Sequence, residues 1–160
     1  MKYWFSGALA TLLFAVTASG VGAFQLNDIV VRSGTEGTEV AFLSEGPMVA
    51  QSYLLSHPDR IVLDLQNVGL SSALVGSQSF VVNRGGVSEI TTSQFTSRGP
   101  SLRIVIELQN KCPYAISQTV KGTILTLRNQ PDAFGAWQAS KASSIPTSQN
   151  PSTIVDRQEP

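Results

Sequence analysis

The chain is poor in the residues on which most enzyme sites depend. It has 160 residues, of which one is a cysteine and one is a histidine. The single cysteine, Cys112, excludes an internal disulfide bond, and we interpret it as a small packed hydrophobic residue. His57 is the one candidate for a general base, but it stands in a proline-flanked turn, where a hydrated side chain is expected. A serine nucleophile needs a histidine base and a zinc site needs several ligands, so the sequence predicts neither catalysis nor a cofactor.

Charge of either sign is also scarce and evenly balanced. Lys and Arg together number 11, as do Asp and Glu, and the arginines are scattered singly along the chain. Binding to DNA or RNA requires a clustered basic face that neutralises phosphates. The sequence therefore does not predict a nucleic-acid partner.

One uninterrupted apolar run stands at the N-terminus. Lys2 provides a positive start, residues 4–16 carry no charge, and small residues at 21–23 precede Phe24. This pattern predicts a secretory signal peptide over 1–23, cleaved after Ala23. The alternative is a membrane anchor, but the run is shorter than the roughly 20 residues that a spanning helix needs. We therefore expect an exported protein with no membrane span after cleavage.

One strand-like phrase occurs twice. Residues 60–67 read RIVLDLQN, and residues 103–110 read RIVIELQN. Side chains of a β-strand alternate between two faces, so each copy has three aliphatic side chains on one face and an arginine and an acid on the other. The aliphatic sets are Ile61, Leu63 and Leu65, and Ile104, Ile106 and Leu108. Two strands of the same design imply two halves that close over one core.

The remaining sequence continues the β pattern, with turn residues between short runs. Strands are predicted at 26–31, 38–43, 48–55, 60–67, 80–82, 87–95, 103–110, 114–120 and 123–128. Residues 68–78 lack a period and are interpreted as a connector. No stretch has sustained helical spacing. The predicted fold is all-β, a small β-sandwich of two related antiparallel sheets over residues 24–130.

The composition changes from Pro131 onward. Small and polar residues dominate, and apart from Phe134, Trp137 and Ile145 there is little to bury before Ile154. Such a segment cannot offset the entropy lost on ordering. It is predicted to be a disordered polar tail over 131–160. The alternative is that Phe134 and Trp137 dock on the sandwich as a short helical turn.

The polar sides of the two similar strands predict ion pairs. Arg60 and Asp64 lie on one face of the first copy, and Arg103 and Glu107 lie on one face of the second. If the copies are antiparallel neighbours, Arg60 can meet Glu107. Arg103 can then meet Asp64. If the copies lie in opposite sheets, each arginine must find another partner. The alternative role is that these arginines grip a carboxylate of a ligand.

Several of these segments, in this order, resemble the AMIN domain family. The turn 44–47 (SEGP) is followed by 53–65 (YLLSHPDRIVLDL), which is similar to the family's Asn-Pro-Pro-Arg turn and Val-Ile-Asp-Leu strand. The likeness continues through GVSEI at 86–90, QF at 94–95, RIVIEL at 103–108 and PY at 113–114. It covers roughly residues 26–129. One departure is Thr91, which stands where the family often places an arginine.

The resemblance implies a non-catalytic β-sandwich in the periplasm that binds peptidoglycan. Family members occur as targeting modules ahead of N-acetylmuramoyl-L-alanine amidase domains and as N-terminal modules of type IV pilus secretins. A secretin or a cell-wall amidase complex is therefore a further partner that the resemblance implies. An alternative within the family is a module of a secretin assembly that acts through protein contacts. An alternative outside it is an exported structural sandwich without affinity for the wall.

A receptor for peptidoglycan should offer hydrogen-bonding side chains and some arginine for the peptide carboxylates. The segment 83–98 has this composition within one predicted strand and its flanking turns. We expect the ligand-binding residues there to be Asn83, Arg84, Thr91, Thr92, Gln94 and Arg98. The alternative is that this segment is simply a polar strand face.

Overall fold

The computed structural model describes residues 23–75, 79–96, 100–129 and 131–143. Residues 1–22 of the predicted signal peptide and residues 144–160 of the predicted tail lie outside these ranges. Within them, no helix has the length and apolar character needed to cross a bilayer. One short helix is present there, Ala139–Ser143 (α1).

Two sheets pack face to face over one core, which confirms the predicted all-β sandwich. Sheet A contains β1 (Phe24–Ser33), β2 (Thr38–Ser44), β5 (Val68–Leu70), β9 (Tyr114–Thr119), β10 (Gly122–Leu127) and β11 (Trp137–Gln138). Sheet B contains β3 (Ala50–Leu55), β4 (Arg60–Gln66), β6 (Ser79–Arg84), β7 (Val87–Phe95) and β8 (Ser101–Leu108). The strand order is β11-β1-β2-β10-β9 in sheet A, with β5 beside β1, and β3-β4-β8-β7-β6 in sheet B.

Each strand predicted from periodicity occurs in the structure, with ends shifted by at most a few residues. The connector predicted over 68–78 is wrong in its first part. Residues 68–70 form β5, which pairs in parallel with β1. Val68 is buried there. Three residues are too few to show a period, so this strand depends on its tertiary partner rather than on local pattern.

The two similar strands, β4 and β8, are antiparallel neighbours within sheet B. Their six aliphatic side chains face the core, and none is more than 5% exposed. The prediction of an inward aliphatic face is therefore confirmed for both copies. The copies do not represent the two layers of the sandwich, because both lie in one sheet. Sheet A closes the core from the other side with Ile29, Val40, Phe42 and Leu125.

Residues 131–143, which we call the C-terminal strap, fold back on the sandwich. β11 pairs with β1, with Trp137 opposite Val31. The Trp137 ring is buried and lies edge-on to Phe80, with ring centroids 6.1 Å apart. The disordered tail predicted from residue 131 therefore begins too early. The polar composition of the segment predicted that the entropy lost on ordering would not be offset. Burial of one large aromatic ring in the core does offset it.

A buried carboxylate joins the strap to β1. Asp28 Oδ1 accepts hydrogen bonds from the backbone N–H of Ser140 at 3.1 Å and from that of Ile29 at 2.9 Å. Its Oδ2 accepts hydrogen bonds from the Ser140 hydroxyl at 2.9 Å and from the Gln138 side-chain amide. The strap is thus held by polar contacts as well as by the indole ring, and the buried carboxylate has its hydrogen-bonding capacity satisfied.

Candidate functional site

The site residues expected from the sequence do not form one surface. Asn83 and Arg84 end β6 and are exposed, and the Arg84 guanidinium donates to the Gly135 carbonyl of the strap at 3.0 Å. Gln94 lies at the other end of β7, where its side-chain oxygen accepts from the Leu70 N–H at 3.5 Å. Arg98 lies outside the described residues. The expected set is therefore spread along the whole length of β7.

Strand alternation separates two of these residues further. Thr91 lies on the outer face of sheet B opposite Val105 and is half-buried. Thr92 points into the core, is 1% exposed, and its hydroxyl has no hydrogen-bond partner among the described residues. A ligand at the protein surface cannot reach Thr92 in this arrangement. Its inclusion in the expected site is wrong, because adjacent residues of a strand face opposite sides.

The polar faces of β4 and β8 form one strong ion pair. Arg103 lies opposite Asp64 and donates from Nε to Oδ1 at 2.7 Å and from Nη2 to Oδ2 at 2.8 Å. Arg60 lies opposite Glu107, but no salt bridge joins these two described side chains. The Arg60 Nε is buried without a hydrogen-bond partner in the described part of the chain. The two positions predicted to be equivalent therefore differ in chemistry.

The hydrogen bonds from Arg103 hold the pKa of Asp64 below its ordinary value, against a smaller opposing effect of burial. The same contact raises the pKa of Arg103. We expect Arg103→Met to raise the pKa of Asp64 toward the ordinary value of an unpaired aspartate. Arg32→Met, which removes a comparable arginine from an ion pair with Glu39, should leave it unchanged. Carboxyl-carbon NMR titration of both variants checks this prediction.

The sign of the pH effect on stability follows from the direction of that shift. The pKa of Asp64 is lower in the folded protein than in the unfolded chain. The stabilisation by this pair is therefore present above about pH 4 and is lost as the pH falls through the folded-state pKa. An Asp64 pKa that is the same in the wild type and in Arg103→Met would contradict the assigned cause.

A hollow adjoins the Arg103–Asp64 pair on the outer face of sheet B. Its volume is about 320 Å³, and its lining is Asp64, Leu65, Gln66, Phe95, Ser101, Leu102 and Arg103. The cross-strand register explains the set, because Ser101 lies opposite both Gln66 and Phe95. Phe95 is 48% exposed, although it stands on a mainly polar face. An exposed aromatic ring beside several hydrogen-bonding groups is the usual composition of a ligand pocket.

A second hollow continues the first across the end of β4. Its volume is about 300 Å³, and its lining is Phe24, Pro47, Met48, Val49, Gln51, Asp64, Gln66 and Asn67. Asp64 and Gln66 line both hollows. We call the two hollows together the β4 trough. Each has a volume near the lower limit of the range of about 300–1,000 Å³ that is usual for ligand sites.

The sequence reasoning identified Asp64 and Arg103 but missed the other residues of the β4 trough. One signal was available for Phe95, since strand alternation places it on the same face as Thr91 and Ser93 and hence away from the core. No comparable signal existed for Gln51 and Gln66, because their proximity to Phe95 depends on the pairing of distant strands.

Two other hollows have a different character. One of about 390 Å³ is lined by the β1–β2 turn over 33–37 together with Asn129 and Pro131. Another, of about 360 Å³, lies against the strap beside Trp137. Neither combines an exposed aromatic ring with groups held on neighbouring strands. Among the described ranges, no three His, Cys, Asp or Glu side chains lie together as the ligands of a metal ion would.

Comparison with known proteins defines the family of the chain. A model of the AMIN domain matches residues 28–127, which is more than half of the sequence and includes all of β2 to β10. No curated protein matches the chain. The resemblance inferred from the turn and strand motifs is confirmed by this match. The chain therefore belongs to the AMIN domain family, whose domains are non-catalytic targeting modules of the cell envelope.

Proposed function

We propose that the chain is a non-catalytic module that binds peptidoglycan and thereby holds itself or a partner at the cell wall. The observation that carries the proposal is the β4 trough, which lies on the outer face of a domain from an envelope-targeting family. The signal-like segment 1–23 supports a periplasmic location, where peptidoglycan is accessible.

The chemistry of the trough suits a glycopeptide polymer. Peptidoglycan presents sugar rings with apolar C–H faces, hydroxyls, acetamido groups and short peptides. Phe95 and Val49 provide exposed apolar contacts at the two ends of the trough. Gln51, Gln66 and Ser101 provide neutral donors and acceptors between them. Such a mixed lining binds an amphipathic ligand better than it binds an ion.

Sedimentation with purified sacculi tests the proposal. The chain from residue 24 onward should pellet with the sacculi at low and at moderate salt, because the trough is not a cluster of one charge. Phe95→Ala should weaken this binding at least about tenfold, as expected for loss of an aromatic ring that anchors the ligand. Wild-type protein that stays in the supernatant under all these conditions would contradict peptidoglycan binding.

Val81→Ala is the matched control for Phe95→Ala. Val81 is also an exposed apolar residue on the outer face of sheet B, at 66% exposure, but it lies on β6 and outside the trough. Its removal should leave sedimentation unchanged. Equal losses in both variants would mean that general surface hydrophobicity, and not the trough, causes the retention.

The edge of sheet B supports a second candidate function, which is a module of a secretin assembly that acts through protein contacts. β3 is the edge strand, it has no charged residue, and Tyr53, Leu54 and Leu55 are each at least 40% exposed. Exposed edge strands are normally protected by charges, and an unprotected one accepts an added strand from a partner. A Leu54→Lys variant that loses retention in cells but still binds purified sacculi would favour this candidate.

A further inference from the structure

We propose that the β4 trough recognises the uncharged glycan of peptidoglycan, that is, a run of N-acetylated hexosamine rings, and not the carboxylates of the peptide stems. The inference rests on the proposed function and defines which part of the polymer is bound. It depends on three properties of the trough, which are the state of its single arginine, the neutrality of its other polar groups, and its length.

The one arginine of the trough is not free to clamp a carboxylate. Two donors of Arg103, Nε and Nη2, are already directed at the two oxygens of Asp64. A ligand carboxylate would have to displace Asp64 or lie beside its negative charge, and like charges at such distances repel. The pair has no net charge and still offers N–H donors at Nη1 and unused lone pairs on the carboxylate. Sugar hydroxyls, which both donate and accept, match this combination.

The other polar side chains of the trough add no positive charge. Apart from Arg103, the described residues that line the two hollows include no lysine or arginine. The remaining polar groups are the amides of Gln51, Gln66 and Asn67 and the hydroxyl of Ser101. Amide side chains pair with hydroxyl and acetamido groups through one donor and one acceptor each. A cluster built to bind anions would instead be rich in arginine.

The length and the aromatic end of the trough fit an extended chain of rings. From Phe95 on β7 the trough crosses β8 and β4 to Gln51 on β3, which is three strand spacings or roughly 14 Å. On the outer face, Phe95 of β7 pairs with Ser101 of β8, and Ser93 of β7 pairs with Arg103 of β8. Phe95 and Arg103 are therefore diagonal neighbours on that face. A pyranose ring can therefore place its apolar face on Phe95 while its hydroxyls reach the ion pair.

Competition against sacculi separates the two parts of the polymer. The chain from residue 24 is bound to sacculi and challenged with oligosaccharides of N-acetylglucosamine, which have the N-acetylated rings of the glycan and no carboxylate, or with glycan-free stem peptides at equal molar concentration. The uncharged oligosaccharides should release the protein, and stem peptides should not. Release by the peptides and not by the glycan would overturn the inference, as would release by neither. Failure of the wild type to bind sacculi at all is a separate result, which overturns the proposed function and this inference with it.

An Asp64→Asn variant provides a second and independent readout. Removing the negative charge weakens the hold on Arg103 and frees it for a ligand carboxylate. Displacement by glycan should weaken about fivefold through loss of a charged acceptor. Displacement by stem peptides should appear for the first time. Because the pair is exposed, the variant is expected to fold normally, which circular dichroism verifies.

Glu39→Gln is the matched control. It breaks the Arg32–Glu39 pair, which is also a cross-strand pair of an arginine and an acid, with 2.8 Å between Nη2 and Oε2, but lies on sheet A. Neither glycan nor peptide displacement should change in this variant. A stem peptide that fails to compete even in Asp64→Asn would contradict the explanation by which Asp64 excludes carboxylates from the trough.

Discussion

Replacement of Trp137 by alanine is expected to lower the free energy of unfolding by about 3–5 kcal/mol, the usual cost of emptying a buried aromatic site. Trp137 is 9% exposed, packs edge-on against Phe80 and pairs with β1 through its backbone. Its loss removes the main apolar contact between the strap and the sandwich. Urea unfolding followed by circular dichroism measures the change in wild type and variant.

Phe95→Ala is the control for this prediction. It also removes a large ring, but the ring is 48% exposed and lies on the outer face of sheet B. Its replacement should reduce stability by no more than about 1 kcal/mol. A Trp137→Ala variant as stable as Phe95→Ala would mean that the strap contributes little to the fold. The two variants also separate effects on stability from effects on binding, which should be lost only in Phe95→Ala.

The strap lies beyond the residues that match the family domain. The match ends at residue 127, whereas the packed structure continues to residue 143. Asp28, at the first matched position, receives hydrogen bonds from Gln138 and Ser140 of the strap. The edge of sheet A at β1 is thereby covered, while the edge of sheet B at β3 stays open.

Most of the fold was predictable because the alternation of apolar and polar residues is visible within the sequence of each core-forming strand. Alternation identified the inward residues Ile61, Leu63 and Leu65 of β4 and Ile104, Ile106 and Leu108 of β8, since one buried face imposes a period of two. It missed the inward Leu102, because the predicted strand began at residue 103 whereas β8 begins at Ser101. Gly122, at the turn between β9 and β10, has a φ of 127°, and glycine is the residue that a short hairpin turn favours at positive φ. The strap could not be predicted in the same way. Trp137 is the one large buried side chain in the described part of this polar segment, and its burial depends on the position of Phe80.

The candidate site was less predictable than the fold. The composition of residues 83–98 suggested a strand that binds a ligand. Composition does not show which face of the sheet each side chain occupies, so it included Thr92, which is buried in the core. The trough gathers its residues from β3, β4, β7 and β8, from Phe24 of β1, and from the connections at 47–49 and 67. Their meeting depends on register between strands far apart in sequence, which periodicity within one strand does not contain. The Arg103–Asp64 pair was found because the two similar strands carry it symmetrically.

Gly122→Ala should destabilise the domain by at least about 3 kcal/mol, combining backbone strain with overpacking. Gly122 begins β10 at a φ of 127°, a conformation that residues with a Cβ atom rarely adopt. A Cβ atom there would lie 2.0 Å from the Phe42 carbonyl oxygen. The clash is with backbone, so no side chain can rotate to relieve it. β10 pairs with both β2 and β9, so a displaced strand start disturbs two ladders at once.

Gly69→Ala is the control that shows whether the loss of stability in Gly122→Ala comes from the backbone surroundings of Gly122 or simply from an added methyl group. Gly69 lies in β5, lacks a positive φ, and the nearest atom to an added Cβ would be the Gln94 side-chain nitrogen at 3.6 Å. This is ordinary contact distance, so the change in stability should stay within about 0.5 kcal/mol. Urea midpoints of the two variants measure the contrast. If Gly122→Ala is as stable as Gly69→Ala, β10 must be able to shift away from β2, and the close approach at Phe42 does not determine how the β9–β10 hairpin is seated in sheet A.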